Sequence, residues 1–154
     1  ADHAGYELKC QLIPWIQSLG FSVCDMGAYS LEPDDDYPDF AGAVANMVGN
    51  GQSNRGIIIC GSGIGAGIVA NKVLGIRAGI CHDIYSARQG VEHDDMNVLC
   101  LGARIIGETL AKELVTGFLS ARFSGEERHL RRLQKLITLE NPSLESDRTD
   151  KLGG

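Results

Sequence analysis

Apolar residues follow two patterns along the chain, and their alternation predicts the secondary structure. Helical spacing of apolar residues first occurs at 7–19 and ends at Gly20. Short apolar runs with strand character follow, and they predict strands at 21–27, 55–60, 75–81 and 97–102. The segments between and after these strands predict helices at 37–48, 67–73, 83–91, 107–122 and 125–139.

Continuous apolar strands, each followed by a helix, are typical of a parallel sheet that is covered on both faces. The predicted fold is therefore α/β, with a doubly wound, Rossmann-like three-layer sandwich. The length of 154 residues predicts one such domain at 1–140 and a polar C-terminal tail at 141–154. The alternation also predicts a strand ahead of Ala1, which would place Asp2 and His3 at the carboxyl edge of the sheet, where ligands bind.

Charge and cysteine content exclude several classes of protein. A net charge of −6 disfavours a nucleic-acid partner or an anionic membrane surface. No apolar run reaches the ~18 residues of a membrane span, so we expect a cytoplasmic protein. Five cysteines without CxxC spacing indicate neither a disulfide framework nor a zinc site. We expect four of them to pack as small apolar side chains, namely Cys10, Cys24, Cys81 and Cys100.

The fifth cysteine, Cys60, stands between an apolar strand and a glycine loop in the stretch IIICGSGIG. Such loops bind anions through backbone N–H groups at the start of a helix. A helix N-terminus also favours the thiolate form of a nearby cysteine, which makes Cys60 a candidate base or nucleophile. Tight packing between strand and helix would explain the glycines alone, but it does not explain the thiol.

The same loop matches the dinucleotide pattern G-x-G-x-x-A, and Asp83 lies about 20 residues downstream, as that pattern expects. Three features disfavour nicotinamide binding. The unit lies in the middle of the chain, Asp83 falls beyond the next strand, and too little chain follows for a substrate domain.

Polar residues cluster at the ends of other predicted elements. Among the histidines, we favour His3 and His93 as site residues, whereas His82 and His129 have an ordinary surface interpretation. The pair Asp94 and Asp95 is better explained by a solvated turn than by a metal site. Near the C-terminus, two arginines four residues apart share a helix face, which suits either a charged outer surface or a phosphate clamp: Arg128 and Arg132.

Seven motifs occur in an order that resembles a known family. They run from Asp2 to about Leu139: DHAG, DYPDF, CGSGIG, ANKVLGIRAGIC, EHDDMNVL, LGARIIG and RHLRRL. Together they resemble the ribose/galactose sugar-phosphate isomerase family, and within it the type B ribose-5-phosphate isomerases. The resemblance also implies the strand ahead of Ala1, because family members begin with one.

The resemblance implies isomerisation of ribose 5-phosphate to ribulose 5-phosphate through a cis-enediolate. Cys60 is then the base that moves a proton between carbons, and Ser62 relays protons between the two oxygens. The anion hole consists of backbone N–H groups of the loop, including those of Gly61, Gly63 and Gly65. Some members carry a glutamate base where this chain has Ala66, which favours Cys60 here.

The resemblance further implies a homodimer with shared active sites, with pairing into tetramers left open. The neighbouring subunit supplies His93 for ring opening, because imidazole both gives and takes a proton near neutral pH. Asp2 and Tyr37 line the sugar. Phosphate contacts are assigned by resemblance to four residues: His3, Arg104, Arg128 and Arg132. No metal or organic cofactor is implied.

One departure from the family concerns Asp94, which stands where asparagine is common and which can only accept hydrogen bonds when ionised. It leaves the sugar open between ribose 5-phosphate and six-carbon 6-phosphates such as those of allose or galactose. Two other classes of function stay open: a non-catalytic sugar-phosphate or nucleotide-binding module, and a redox-sensing thiol protein.

Overall fold

The computed structural model describes residues 1–140 of the chain, so the predicted tail at 141–154 lies outside the described residues. Within that range the chain forms six helices and three strands, in an order that alternates after the second helix. The helices are α1 (Tyr6–Ser18), α2 (Tyr37–Gly49), α3 (Ile64–Ala70), α4 (Ile84–Asp94), α5 (Glu108–Ser120) and α6 (Glu127–Glu140). The strands are β1 (Gly56–Cys60), β2 (Ala78–Ile80) and β3 (Val98–Gly102).

The three strands form one parallel sheet in the order β1-β3-β2. The central strand β3 is buried along its whole length, which explains its continuous apolar sequence. Its register with β1 pairs Gly56 with Val98 at the amino edge and Cys60 with Gly102 at the carboxyl edge. Both strands therefore end at the same place, and the loops that follow them meet there.

Helices cover both faces of the sheet, so the predicted α/β doubly wound class is confirmed. Leu99 and Leu101 point to the face that is covered by α1, α4 and α5. Val98 and Cys100 point to the opposite face, where α2 and α3 contribute mainly alanines to the core. Small side chains let these two helices lie close to the sheet, and the glycine loop that precedes α3 is held close to β3.

The prediction of a strand at 21–27 is wrong for the described structure, in which this segment is irregular. A strand needs a neighbour with which to form a ladder, and only Ala1 pairs here. Its amino group donates to the Gly27 carbonyl at 2.8 Å, and the Ala28 N–H donates to the Ala1 carbonyl at 2.6 Å. A groove of about 1030 Å³, lined by residues such as Val23 and Ile57, separates the segment from β1. The strand expected ahead of Ala1 stays a prediction.

The predicted helix and strand positions are otherwise confirmed, with shifted ends. α3 begins at Ile64 instead of residue 67, and β2 spans only Ala78–Ile80. Asp83 caps α4, since its Oδ1 accepts from the Ser86 N–H at 2.8 Å, and this hydrogen bond lowers the pKa of the carboxyl group. The cap gives Asp83 a local structural role and removes the remaining support for a dinucleotide site.

The expectation for four packed cysteines is right for two of them. Burial raises the pKa of Cys81 to about 11 and that of Cys100 to about 12, so both thiols stay protonated and act as apolar groups. Cys10 and Cys24 are exposed, because one lies on the outer face of α1 and the other in the irregular segment after it. Within residues 1–140, no helix has the length and apolar character that a membrane span requires.

Candidate active site

Cys60 is the last residue of β1, and its side chain faces the loop that leads into α3. The residue is only 5% exposed, and the Gly63 N–H donates a hydrogen bond to its sulfur atom at 3.1 Å. Gly63 has a φ of +83°, a left-handed conformation that glycine adopts without strain. This hydrogen bond fixes the sulfur atom against the turn that leads into α3.

Close approaches around the loop explain one glycine after Cys60 and one glycine at the end of β3. A Cβ atom on Gly65 would lie 2.5 Å from Cζ of Tyr37, so the tyrosine ring rests directly against the loop. A Cβ atom on Gly102, at the end of β3, would lie 2.7 Å from the Ser62 carbonyl oxygen. The Ser62 side chain is exposed, and its Oγ accepts from the Ile64 N–H at 3.3 Å. Tyr37 and Ser62 therefore flank the cysteine loop.

The first residues of the chain lie at the same edge. The start of α1 abuts the end of β1, because a Cβ atom on Gly5 would lie 2.3 Å from the Ile59 carbonyl oxygen. Asp2 is buried, and its Oδ1 accepts from the Gly5 N–H at 3.0 Å. His3 Nδ1 lies 2.7 Å from Asp35 Oδ1, and this hydrogen bond raises the pKa of the imidazole.

Arg104 completes the group from the turn after β3. Its backbone N–H donates to the Gly61 carbonyl at 3.0 Å, and a Cβ atom on Gly61 would lie 3.5 Å from its Nε. The guanidinium therefore covers the loop, and its charge opposes protonation of His3. Among the described residues Arg104 forms no salt bridge. Its charge is thus available to an anionic ligand beside the thiol.

Asp2, His3 and Asp35 also form a group whose ligand atoms lie within 4.8 Å of one another, the spacing of a metal site. Two of these atoms already accept hydrogen bonds, since Asp2 Oδ1 accepts from Gly5 and Asp35 Oδ1 from His3. The pairing with Asp35 also occupies Nδ1, one of the two ring nitrogens of His3. We therefore interpret the group as a hydrogen-bonded charge cluster.

The remaining predicted site residues lie together at a second location, around the end of α4. His93 stacks on His129 of α6 with ring centroids 4.1 Å apart, and its Nδ1 lies 2.7 Å from Gln89 Nε2. Asp94 is exposed at the last position of α4, and the helix ends at Asp95 with a left-handed φ of +52°. His93 and Asp94 therefore both lie at the C-terminal end of α4.

The two locations lie at opposite edges of the sheet. α4 starts after β2 at the carboxyl edge and runs back to the amino edge, where Asp95 Oδ2 accepts from the Arg77 guanidinium at 2.6 Å just ahead of β2. Five-residue strands such as β1 and β3 separate these edges by roughly 13 Å. Cys60 and His93 of one chain are therefore on opposite sides of the same sheet.

The arginines of α6 belong to the second location. Arg128 and Arg132 are both exposed, and Arg128 Nε lies 2.8 Å from Glu126 Oε2. This ion pair is exposed on both sides, so it holds Arg128 only weakly. The arginines stand close in sequence to His129, on the helix that packs against α4. A second group of cations is therefore placed near His93.

The surface interpretation of two histidines is wrong. His129 is 1% exposed, its Nδ1 lies 2.6 Å from Ser124 Oγ, and burial lowers its pKa, with the charge of His93 as a further cause. The helical spacing with Leu133 and Leu136 could have placed it on the apolar face of α6. His82 is half-buried, and its Nε2 accepts from the Gly102 N–H at 3.1 Å, a contact that no sequence pattern indicates.

The family resemblance is confirmed by comparison with known proteins. A family model described as Ribose/Galactose Isomerase matches residues 1–136, so the chain belongs to this family. Ribose-5-phosphate isomerase B of Escherichia coli K12 is 41% identical over 139 residues, which cover 90% of this chain and 92% of that protein. D-erythrulose-4-phosphate isomerase of Pectobacterium atrosepticum is 44% identical over 128 residues, which cover 81% and 82%.

Solved structures give the same result for the fold. Ribose-5-phosphate isomerase B of Clostridium thermocellum is 44% identical and superposes with a TM-score of 0.88, covering 92% of this chain and 95% of that one. The enzyme of Mycoplasma genitalium, solved with bound ribulose-5-phosphate, is 39% identical with a TM-score of 0.86, covering 90% and 91%. The described fold is therefore that of type B ribose-5-phosphate isomerases.

Proposed function

We propose that this chain interconverts ribose 5-phosphate and ribulose 5-phosphate through a cis-enediolate, with Cys60 as the carbon base. The observation that carries the proposal is the Cys60 sulfur, which accepts the Gly63 N–H at 3.1 Å at the edge of the sheet that also holds His3 and Arg104. The names of the similar proteins support the same reaction. A thiolate, an anion-binding loop and phosphate-binding cations at one edge are what such an isomerisation requires.

The proton transfers need only groups of the chain. Cys60 removes the proton from C2 of the open-chain aldose and returns it to C1, so no oxidant or reductant is consumed. The negative charge that develops on oxygen is stabilised by backbone N–H groups of the loop. Ser62, exposed at the turn, moves the hydroxyl proton between O1 and O2. Tyr37 and Asp2 line the proposed sugar site on the side of α1 and α2.

We further propose a homodimer in which each site combines the carboxyl edge of one chain with the amino edge of the other. The position of His93, one strand length away from Cys60 in the same chain, supports this arrangement. Ile64 and Ile68 of α3 are 52% and 58% exposed and stand four residues apart beside the loop, which provides apolar surface for a second copy. His93 would then open the furanose ring, and Arg128 and Arg132 would join the phosphate contacts.

We propose ribose 5-phosphate as the substrate, and the number of carbons in the sugar is left open. Asp94 is exposed at the end of α4, where an ionised carboxylate repels a developing oxyanion unless a cation pairs with it. One relative is named for a four-carbon sugar phosphate, and six-carbon 6-phosphates were left open by the sequence. The cytoplasmic localisation and the absence of a cofactor stay predictions.

The experiment that tests the proposal compares wild type, Cys60→Ala and Cys100→Ala in isomerisation of ribose 5-phosphate. The control variant also removes a buried thiol from the sheet but leaves the loop intact. We expect Cys60→Ala to lose roughly a thousandfold in kcat, because a positioned base contributes about 10²–10⁴. Cys100→Ala should keep its kcat. Allose, galactose and erythrulose phosphates in the same assay give the substrate ranking.

Equal losses in both variants would show that the effect is one of folding, and full activity of Cys60→Ala would refute the carbon-base role. If wild type binds ribose 5-phosphate but isomerises none of the sugars, the chain is a binding module and the proposal is wrong.

A further inference from the structure

We infer that Asp35 is a positioning residue that fixes His3 as a charged donor at the phosphate subsite, an inference that rests on the proposed function. Asp35 Oδ1 accepts two hydrogen bonds from His3, one from its backbone N–H at 3.0 Å and one from Nδ1 at 2.7 Å. A single carboxylate oxygen therefore fixes both the main chain and the ring of His3. These two hydrogen bonds together hold the His3 ring in place more firmly than the bond to Nδ1 would by itself.

The bond to Nδ1 decides which ring nitrogen can meet a ligand. With Nδ1 donating to the carboxylate, Nε2 is the second ring nitrogen and carries a proton when the imidazole is charged. The His3 side chain is 30% exposed and that of Asp35 only 11%, so the carboxylate lies inside and the imidazole faces outward. This orientation presents a charged N–H group to a ligand above the loop.

The burial of Asp35 supports the charged form of His3. Its second oxygen, Oδ2, is buried and has no hydrogen-bond partner among the described residues. A buried carboxylate with an unsatisfied oxygen is costly unless a positive charge lies beside it. The protonated His3 ring, 2.7 Å from Oδ1, is the cation that the geometry provides.

The charges facing His3 come from three residues. Asp2 and Asp35 raise the pKa of the imidazole, and the guanidinium of Arg104 lowers it. Repulsion between the two adjacent cations would favour loss of the proton from His3 as the pH rises. Asp35 opposes this release, so that His3 and Arg104 can carry charge together when a phosphate binds.

The chain provides a matched control in the same loop. Asp34 is exposed, and Asp35 is the member of the Asp34–Asp36 run that bonds to His3. Asp35→Asn and Asp34→Asn therefore remove the same charge from neighbouring positions, and only the first removes it from the hydrogen-bond partner of His3. A general electrostatic effect of the acidic loop would make the two variants alike.

The test has two readouts, and neither requires turnover. The first is an NMR titration of the His3 ring in wild type and both variants. The second is binding of inorganic phosphate at pH 7.5 and at pH 5.5 by calorimetry. In wild type, His3 should titrate above the ordinary value of 6.5. In Asp35→Asn its pKa should fall, whereas Asp34→Asn should match wild type.

The effect of Asp35→Asn on phosphate affinity should differ between the two pH values: a loss at pH 7.5, and no loss or a gain at pH 5.5. We call this change a crossover. At pH 7.5, Asp35→Asn should bind phosphate roughly three- to tenfold more weakly, because a larger fraction of His3 has lost its proton. At pH 5.5, His3 is charged in both proteins, and the variant should bind as well or better because a carboxylate has been removed from the site. A merely structural role of Asp35 would weaken binding at both pH values.

Three outcomes overturn the inference: an unchanged His3 pKa in Asp35→Asn, a wild-type His3 that titrates below 6.5, or phosphate binding that is insensitive to the variant at every pH. The wild-type titration decides this even if Asp35→Asn fails to fold. A crossover in a protein that does not isomerise ribose 5-phosphate would refute the proposed function and leave the inference standing.

Discussion

The two edges of the sheet hold two different groups of candidate site residues. The carboxyl edge carries the Cys60 thiol with an N–H donor at 3.1 Å, together with His3 and the guanidinium of Arg104. The amino edge carries the stacked pair His93 and His129, with ring centroids 4.1 Å apart, and further arginines on α6. Under the proposed function, the first edge provides a carbon base and an anion hole. The second provides acid–base groups without a nucleophile.

The difference explains why the proposed site needs two copies, because one chain contains all of its groups but holds them at opposite edges of the sheet. The residues of each edge are held in place by local contacts. The strands between the two edges are short enough to stay straight, yet they are longer than the reach of a side chain. A second copy related by a two-fold axis would bring opposite edges together twice, because such an interface uses the same surfaces on both subunits.

After the loss expected for Cys60→Ala, the largest effect concerns the amino edge. His93→Asn should lower kcat for ribose 5-phosphate by about a hundredfold, since general acid–base catalysis at ring opening is lost. A four-carbon sugar with its phosphate on O4 cannot close a furanose ring, so the variant should keep wild-type activity on erythrulose 4-phosphate. Parallel steady-state kinetics on both sugars check this. Equal losses would mean that His93 acts at a later step.

The second effect concerns charge at the carboxyl edge. Arg104→Gln should raise KM for ribose 5-phosphate by roughly ten- to a hundredfold, the equivalent of one charged hydrogen bond, with a smaller change in kcat. Arg122→Gln removes an exposed arginine from the amino edge and serves as the control. A large fall in kcat with unchanged KM would place Arg104 in the chemical step instead of at the phosphate.

A third effect tests the packing of the loop. Gly65→Ala places a methyl group 2.5 Å from the Tyr37 ring, and the ring can swing away because it is the end of a flexible side chain. We expect roughly a tenfold loss in kcat/KM from the displaced ring, with little change in Tm. Gly42→Ala, where no atom lies within 4 Å of the new methyl, should leave kinetics unchanged. A large fall in Tm would show that the loop backbone moves instead.

The smallest effect is a dependence of stability on pH at the amino edge. The pKa of His129 is lowered by burial, so the unfolded chain binds its proton more readily than the folded one. Stability should therefore be complete above pH 6.5 and decrease as the pH falls below it. In His129→Asn the difference in Tm between pH 7.5 and pH 5.5 should be smaller than in wild type. An unchanged difference would assign the acid sensitivity to other groups.

The layers of the fold could be predicted from the sequence because β1 and β3 are continuous apolar runs. In an α/β protein such runs are typical of strands that are covered on both faces of a parallel sheet. The prediction failed at 21–27, where strand-like composition lacks a ladder partner in the described structure. Pairing is a property of two segments, and a pattern in one segment cannot establish it.

The candidate site divides in the same way. Cys60 and its glycines could be found from spacing, because strand, loop and helix are consecutive in the chain. The contacts of Asp35 and His82 could not be found, since each depends on a partner that is distant in sequence. The assignment of His93 to a second subunit came from the family resemblance, and its place at the end of α4, on the far side of the sheet from Cys60, supports that proposal.

The most direct test of a site shared between two chains is subunit mixing. Cys60→Ala and His93→Asn, which are expected to keep about a thousandth and about a hundredth of the wild-type kcat on ribose 5-phosphate, are unfolded together, refolded and assayed. If each site takes Cys60 from one chain and His93 from the other, half of the dimers are hybrids with one intact site, and activity should return to about a quarter of wild type. If both groups act within one chain, every hybrid site keeps one defect, and a mixture that stays at the activity of the two variants would contradict the account.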